Sequence, residues 1–292
     1  MADNKIIDGK LIAETMKKEI AAEVANMIDS GVGAPHLAAV LVGEDGASLT
    51  YVASKEKACR SVGMISSVYR LSEKSTEEDI LKTIDFLNND PEIDGYIVQL
   101  PLPKHINETK IIQSINHDKD VDGFTLYNIG LMQLGEPCYQ PATPFGIIEL
   151  LKRSNVEIAG KHIVVMGRSN IVGTPVSVML SRKGIDATVT ICHSKTQNLK
   201  ELTRQADILI VAIGDPQFVK ADMVKEGAVV IDVGIHRIKD NSEKGYHVVG
   251  DVDYDEVYKV ASKITPVPGG VGPMTIVSLL HNTLMAAKNN KK

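Results

Sequence analysis

Ile163-Val164-Val165-Met166-Gly167-Arg168-Ser169-Asn170-Ile171-Val172-Gly173-Thr174-Pro175 is the stretch that decides the fold class. Its first four residues read as a buried strand, and the residues after Val172 open a helix. A strand, a glycine turn and a helix in that order form the first βα turn of a nucleotide-binding fold. Backbone N–H groups at such a helix start receive a phosphate, and the glycines let it approach. The stretch is not a G-x-G-x-x-G fingerprint, because Ser169 stands where the second glycine would be. No Gly-Lys-Ser/Thr follows, so an ATP phosphate loop is excluded. An ordinary tight strand–helix turn is the competing reading.

Outward from this turn the same rhythm continues. Strands are expected over Ala187–Cys192, Ile208–Ile213 and Ala228–Val233, each closed by Gly or a small polar residue. Upstream, Thr143 and Pro144 suit the start of a helix. Before them lies another alternating block. Leu11–Ile28 and Leu49–Val62 have helical spacing, while His36–Val42 and Ile93–Leu100 read as strands. A further helix is expected from Thr76 to Leu87, with Ser75 as its N-cap and Glu78 at its third position. The last helix begins at Pro273 and runs into a basic tail, Lys288 to Lys292. The expected class is α/β: two α/β domains with a cleft between them, the second a Rossmann-like doubly wound domain. The boundaries fall at 1–140 and 141–272, within an Asp-, Gly- and Pro-rich join, and the final helix (273–292) is expected to pack back on the first domain.

Composition narrows the function. The 292 residues suit two domains, and 43% apolar with 24% charged residues is ordinary globular usage. A net charge of −5 argues against a nucleic-acid-coating surface. No apolar run approaches the roughly 20 residues of a membrane span. The polar start, Met1 to Lys10, has no signal-peptide core. Cys59, Cys138 and Cys192 form no C-x-x-C pair and are odd in number, which indicates reduced thiols in a cytoplasmic protein. The histidines are scattered without H-E-x-x-H, so no metal site is expected.

Five segments carry candidate chemistry. In the glycine turn, Arg168 suits a ligand with an extra phosphate, such as NADP. The next strand ends Ile191-Cys192-His193-Ser194 with no acid to bind a free ribose hydroxyl, and Ser194 is placed to donate to a 2′-phosphate. In Ser48-Leu49-Thr50-Tyr51-Val52-Ala53-Ser54-Lys55, Lys55 falls on the apolar stripe of Val52, Cys59 and Val62, with Tyr51 on its own face. An inward lysine is either a snorkelling stem or a group whose pKa is lowered enough to exchange a proton near neutral pH. Tyr-x-x-x-Lys also occurs in short-chain dehydrogenases, but there it follows the nucleotide turn, and here it precedes it. Gln99, in Val98-Gln99-Leu100-Pro101-Leu102-Pro103, sits where ligands of α/β sheets gather, and it also serves as a strand-end cap. Its amide is suited to accept from Tyr51 or Lys55. Asp118-Lys119-Asp120-Val121-Asp122-Gly123-Phe124 starts like a calcium loop but has Ile129 at its twelfth position. It is then either a solvated turn or a carboxylate site at Asp122. Thr265-Pro266-Val267-Pro268-Gly269-Gly270-Val271-Gly272-Pro273 has a nearly preset backbone, suited to a flat ligand or to a rigid crossover.

Taken together and in order, these motifs closely resemble the bifunctional methylenetetrahydrofolate dehydrogenase/methenyltetrahydrofolate cyclohydrolase family, from about Lys5 to Ala287. The resemblance implies oxidation of 5,10-methylenetetrahydrofolate with NADP, then hydrolysis to 10-formyltetrahydrofolate, in one-carbon metabolism. It implies that Lys55 is the central catalytic group, tuned by Gln99, with Tyr51 positioning substrate and lysine and Asp122 holding the pterin. Ser48, Leu100, Pro101, Pro268, Gly269 and Gly270 match the folate site. Gly167, Arg168, Ser169, Ser194 and Ile235 match the cofactor site. A homodimer follows from the resemblance alone. Thr174 and Thr125-Leu126 depart from the family's pattern, where a basic or small residue and His-Pro are common. Three other readings compete: a dehydrogenase without cyclohydrolase activity or using NAD, an amino-acid or shikimate-type dehydrogenase, and a catalytically dead binding protein.

Overall fold

A computed structural model describes residues 5–242 and 245–291. Residues 1–4 of the polar start and Lys292 of the basic tail lie outside the described residues. The chain forms two compact units, one from Glu14–Ala142 with residues 276–291, the other from residues 5–13 with Thr143–Thr275.

The first unit contains most of α1 (Gly9–Asp29), then β1 (His36–Val42), α2 (Gly46–Ser61), β2 (Ile65–Leu71), α3 (Glu77–Asn89), β3 (Gly95–Val98), α4 (Glu108–Gln113) and α5 (Leu126–Leu134). Its three strands are parallel in the order β2-β1-β3. Central β1 is almost wholly buried, which is why its sequence is a continuous apolar run. Ala38 and Val40 of β1 pack with Ile80, Ile84 and Leu87 of α3 and with Tyr96 and Val98 of β3. The α/β expectation is therefore met, with corrections in detail. The cap of α3 is Thr76 rather than Ser75: its hydroxyl receives the Asp79 N–H (3.2 Å), and Asp79 receives the Thr76 N–H (2.9 Å). Only Gly95–Val98 of the run 93–100 is strand. The C-terminal end of α3 is closed by an inward lysine, Lys119, whose ammonium donates to the Leu87 and Asp90 carbonyls at 2.8 and 2.6 Å. Cations suit that end of a helix.

The second unit holds α6 (Ala142–Arg153, less its first residue), β4 (His162–Met166), α7 (Gly173–Ser181), β5 (Thr188–Cys192), α8 (Leu199–Thr203), β6 (Ile208–Val211) and β7 (Val229–Asp232). An antiparallel hairpin, β8 (His236–Lys239) and β9 (Tyr246–Val249), then leads to α9 (Tyr254–Val260) and β10 (Lys263–Ile264). Five strands lie parallel in the order β10-β7-β6-β4-β5. The chain goes from β4 outward on one side to β5 and then crosses to β6 on the other. That reversal makes the carboxyl end of β4 the switch point where doubly wound sheets bind ligands. All four strands expected here are present: β4 begins one residue earlier than expected, at His162, and the other three are shorter by one or two residues. The last helix, α10 (Val271–Asn290), starts two residues before Pro273. In the first unit its Asn282 donates to the Val121 and Gln140 carbonyls at 2.9 and 2.8 Å. No described helix is long and apolar enough to cross a membrane.

Candidate active site

Ser48, Tyr51 and Lys55 share one face of α2, because residues three, four and seven apart stack along a helix. Asp45 starts that helix by accepting the Ser48 N–H at 2.9 Å. Val52 and Cys59 are at most 1% exposed, so the stripe is buried as expected. Lys55 lies on its edge, partly buried. Its Nζ donates to Gln99 Oε1 at 3.1 Å and lies 4.8 Å from the centre of the Tyr51 ring. Gln99 is held in turn, because its Nε2 donates to the Leu100 carbonyl at 2.9 Å and its backbone N–H to Val40 at 2.9 Å. Leu100 and Pro101 continue from Gln99 at the strand's end, joined by a cis bond. The oxygen of a neutral amide favours an ammonium less than a carboxylate would. Burial accordingly lowers the Lys55 pKa below the ordinary lysine value, opposed by the nearby charges of Asp122 and, less, Cys59.

Asp122 is the negative partner. Burial raises its carboxyl to about 6 even though Lys55 pulls the other way, and Asp120 adds to the rise. Its neighbour Gly123 has φ +71, and a Cβ there would strike the Tyr139 carbonyl, so the turn beside Asp122 requires glycine. Asp120, passed over in the sequence, builds this loop. It is 1% exposed and accepts the Phe124 and Thr125 backbone N–H groups at 3.2 and 2.8 Å and the Asn128 side-chain amide at 2.9 Å. The family departure at Thr125 has a local use: its hydroxyl receives the Asn128 N–H at 3.4 Å and caps α5.

In the second unit, β4 is followed by Gly167, whose φ is +109 and where an added Cβ would be driven into the Ala212 carbonyl. Gly173 is equally crowded, against the Gly167 carbonyl. Together they let the chain reverse under an open cavity of about 420 Å³. Gly167, Arg168, Ser169 and Ser194 all line it, together with Ile213, Asp215 and Phe218 from the loop after β6. The Ser169 hydroxyl accepts the Val172 and Gly173 N–H groups at 3.1 and 3.4 Å, so it occupies part of the helix start that the sequence reserved for phosphate. Arg168 and Ser194 are exposed at the cavity, and Arg168 has no carboxylate partner among the described residues. A cradle that forbids a side chain, an uncommitted guanidinium and a hydroxyl fit a phosphorylated dinucleotide.

A family model described as "Tetrahydrofolate dehydrogenase/cyclohydrolase, catalytic domain" matches residues 7–122, and one described as "Tetrahydrofolate dehydrogenase/cyclohydrolase, NAD(P)-binding domain" matches residues 141–291. The chain belongs to the tetrahydrofolate dehydrogenase/cyclohydrolase family. It is 57% identical to the "Bifunctional protein FolD" of Bacteroides fragilis, over 97% of this chain and 98% of that one. It superposes on the crystal structure of the bifunctional enzyme from Campylobacter jejuni with TM-score 0.92 at 47% identity, covering 97% and 98% of the two chains. The Trypanosoma brucei dehydrogenase–cyclohydrolase, solved with NADP cofactor and inhibitor, gives TM-score 0.92 at 38% identity over 97% of each chain.

The dehydrogenase/cyclohydrolase chain thus groups its expected residues into two sets. Ser48, Tyr51, Lys55, Gln99, Leu100, Pro101 and Asp122 fall in the first unit, and the cofactor residues in the second. Pro268, Gly269 and Gly270 belong to the second unit as well. There Gly269 accepts the Lys10 N–H at 3.1 Å, and Gly270 leaves no room for a Cβ beside Thr265. Ile235 is 68% exposed and does not line the cavity. Asp215 and Phe218, which do, were not singled out from sequence: a polar loop after a strand gives no periodic signal.

Proposed function

We propose that this chain oxidises 5,10-methylenetetrahydrofolate to the methenyl cation with NADP⁺ and hydrolyses that cation to 10-formyltetrahydrofolate, acting as a cytoplasmic homodimer. The observation that carries the reading is Lys55: a half-buried amine with a lowered pKa, bonded to the amide of Gln99 and faced by the charge of Asp122. The relatives named FolD support the pairing of activities, and the three free cysteines support a reducing compartment. The homodimer rests on the family resemblance.

The proposed division of labour follows the two units. Gly167, Arg168, Ser169 and Ser194 would hold the nucleotide, Arg168 and Ser194 at its 2′-phosphate. NADP⁺ supplies the hydride acceptor when bound. Tyr51, Ser48 and the Leu100-Pro101 segment would orient the folate, and Asp122 would accept N–H groups of its pterin. For hydrolysis, neutral Lys55 takes a proton from the water that adds to the methenyl carbon, and the resulting ammonium returns a proton to N5 as the bond from that carbon to N5 breaks, which leaves the formyl group on N10. The approach of a cationic substrate makes a nearby ammonium costlier, which favours that neutral form. Proton transfer of this kind contributes about 10²–10⁴ in rate.

The test supplies 5,10-methylenetetrahydrofolate with NADP⁺ or NAD⁺ and follows reduced nicotinamide, methenyl chromophore and formyl product separately. NADPH with stoichiometric formyl product, faster than spontaneous hydrolysis, is expected. Lys55→Met is expected to abolish the hydrolysis while NADP⁺ binds as before. Full hydrolysis by that variant overturns the role of Lys55, and absence of nicotinamide reduction overturns the function.

A further inference from the structure

The loop after β6, Ile213 to Phe218, supplies one wall of the nucleotide cavity through Ile213, Asp215 and Phe218. Among the described residues no strand pairs with it, and its fixed point, Asp251, is not among the residues lining the cavity. Asp251, 0% exposed, accepts the Ile213 and Gly214 N–H groups on Oδ2 at 2.8 and 3.1 Å. The backbone beside it takes the rest of the loop: Gln217 N–H donates to the Gly250 carbonyl at 2.9 Å, and Val219 N–H to the Asp251 carbonyl at 3.0 Å. The second oxygen of Asp251 accepts from His236 Nε2 at 2.7 Å. The Asp251 backbone is pinned by a second buried carboxylate, Asp232, which accepts the Asp251, Val252 and Gly234 N–H groups at 2.9, 3.0 and 3.0 Å. The packing is reciprocal. A Cβ on Gly250 would collide with the Asp232 carboxylate, and one on Gly234 with that of Asp251.

We propose that Asp251 and His236 are positioning residues for the nucleotide: they hold the Ile213–Phe218 wall at the geometry NADP⁺ requires and take no part in hydrolysis of the methenyl cation. The argument is one of satisfaction. A carboxylate with two backbone donors on one oxygen and an imidazole donor on the other has a fixed orientation, so the wall cannot shift without unpairing buried groups. Neither residue touches the cavity, which is why neither stands out as a site residue in the sequence. The proposal rests on the reading that the cavity binds NADP⁺.

The test uses the full-length chain and the variants His236→Phe, His236→Asn and Asp251→Asn. Three quantities are measured on each preparation: Kd for NADP⁺ by calorimetry, KM for NADP⁺ in the dehydrogenase assay, and hydrolysis of methenyltetrahydrofolate without nucleotide. We expect Kd and KM for NADP⁺ to rise about tenfold in Asp251→Asn and His236→Phe, equivalent to about 1.4 kcal/mol. Hydrolysis stays within twofold, and His236→Asn, which keeps an N–H donor, recovers most of the loss. Unchanged NADP⁺ affinity in both variants overturns the proposal. So does a parallel fall of both activities, which is the signature of a merely structural role. Should Asp251→Asn not fold, the two His236 variants decide alone, since that side chain is 20% exposed. A wild-type chain that binds no NADP⁺ removes the functional reading itself, an outcome separate from unaltered variants.

Discussion

Lys55 and Asp122 are both displaced from their solution behaviour by burial, in opposite senses, and the sign of each displacement is testable. Asp122 has its carboxyl raised from 3.8 to about 6, a value that already includes the attraction of Lys55. The folded state therefore holds the proton more tightly than the unfolded chain between those two values, and stability falls as pH rises through that window. Above it the ionised carboxylate costs about 3 kcal/mol. Asp122→Asn is thus expected to unfold at higher denaturant near pH 8, with the gain fading below roughly pH 4, where both states are protonated. Urea titrations across that range check it, and an Asn variant no more stable than wild type at pH 8 contradicts it. Lys55 runs the other way. Its pKa is lowered, so its neutral form is reached at a pH below the ordinary lysine value. Hydrolysis is expected to rise with pH to a plateau governed by Lys55, and Gln99→Glu, by adding a charge that holds the ammonium, is expected to move that rise upward. A pH–rate profile unmoved in the Glu variant would separate Lys55 from proton transfer.

Among the elements, those with strong periodicity or punctuation were legible and the rest were not. β1 and the run ending at Met166 are continuous apolar stretches closed by glycine, and each appears where expected. β2 was missed, because Ile65-Ser66-Ser67-Val68-Tyr69-Arg70-Leu71 mixes serines and arginine into a strand that sits at the sheet edge and is only half covered. The β8–β9 hairpin was missed for the same reason: its side chains are largely exposed, and no core selects them. In the site, the Lys55–Gln99 contact was foreseeable from helix spacing and strand ends. Asp120, Asp232 and Asp251 were not, because a buried acid that serves backbone donors looks in sequence like any surface acid. Two variants test elements directly. Thr76→Ala removes the cap of α3 and is expected to cost about 1 kcal/mol with both activities intact. Gly167→Ala forces a Cβ onto the Ala212 carbonyl at a left-handed φ. It is expected to abolish NADP⁺ binding by calorimetry while methenyl hydrolysis persists.

At the scale of the molecule, each unit carries its own apolar core, one around Val40, Ile84 and Tyr96, the other around Val164, Leu209 and Val230. Ligand linkage acts on the second. NADP⁺ at a hundredfold excess over its Kd adds about 2.7 kcal/mol to the state that binds it. A scanning melt is expected to rise by about 5 °C with NADP⁺, and to show no such rise in Gly167→Ala. The Asp232–Gly250 and Gly234–Asp251 pairs also bear on how this sequence can change over generations. Each glycine is denied a side chain by the acid on the opposite segment, and each acid serves backbone donors that an apolar replacement would strand. No single replacement at these four positions is neutral, and a change at one becomes tolerable only alongside changes at the others. Drift through this knot requires a crossing of several unfit intermediates, so it is expected to remain frozen together with His236, while the exposed hairpin positions beyond His236 diverge freely.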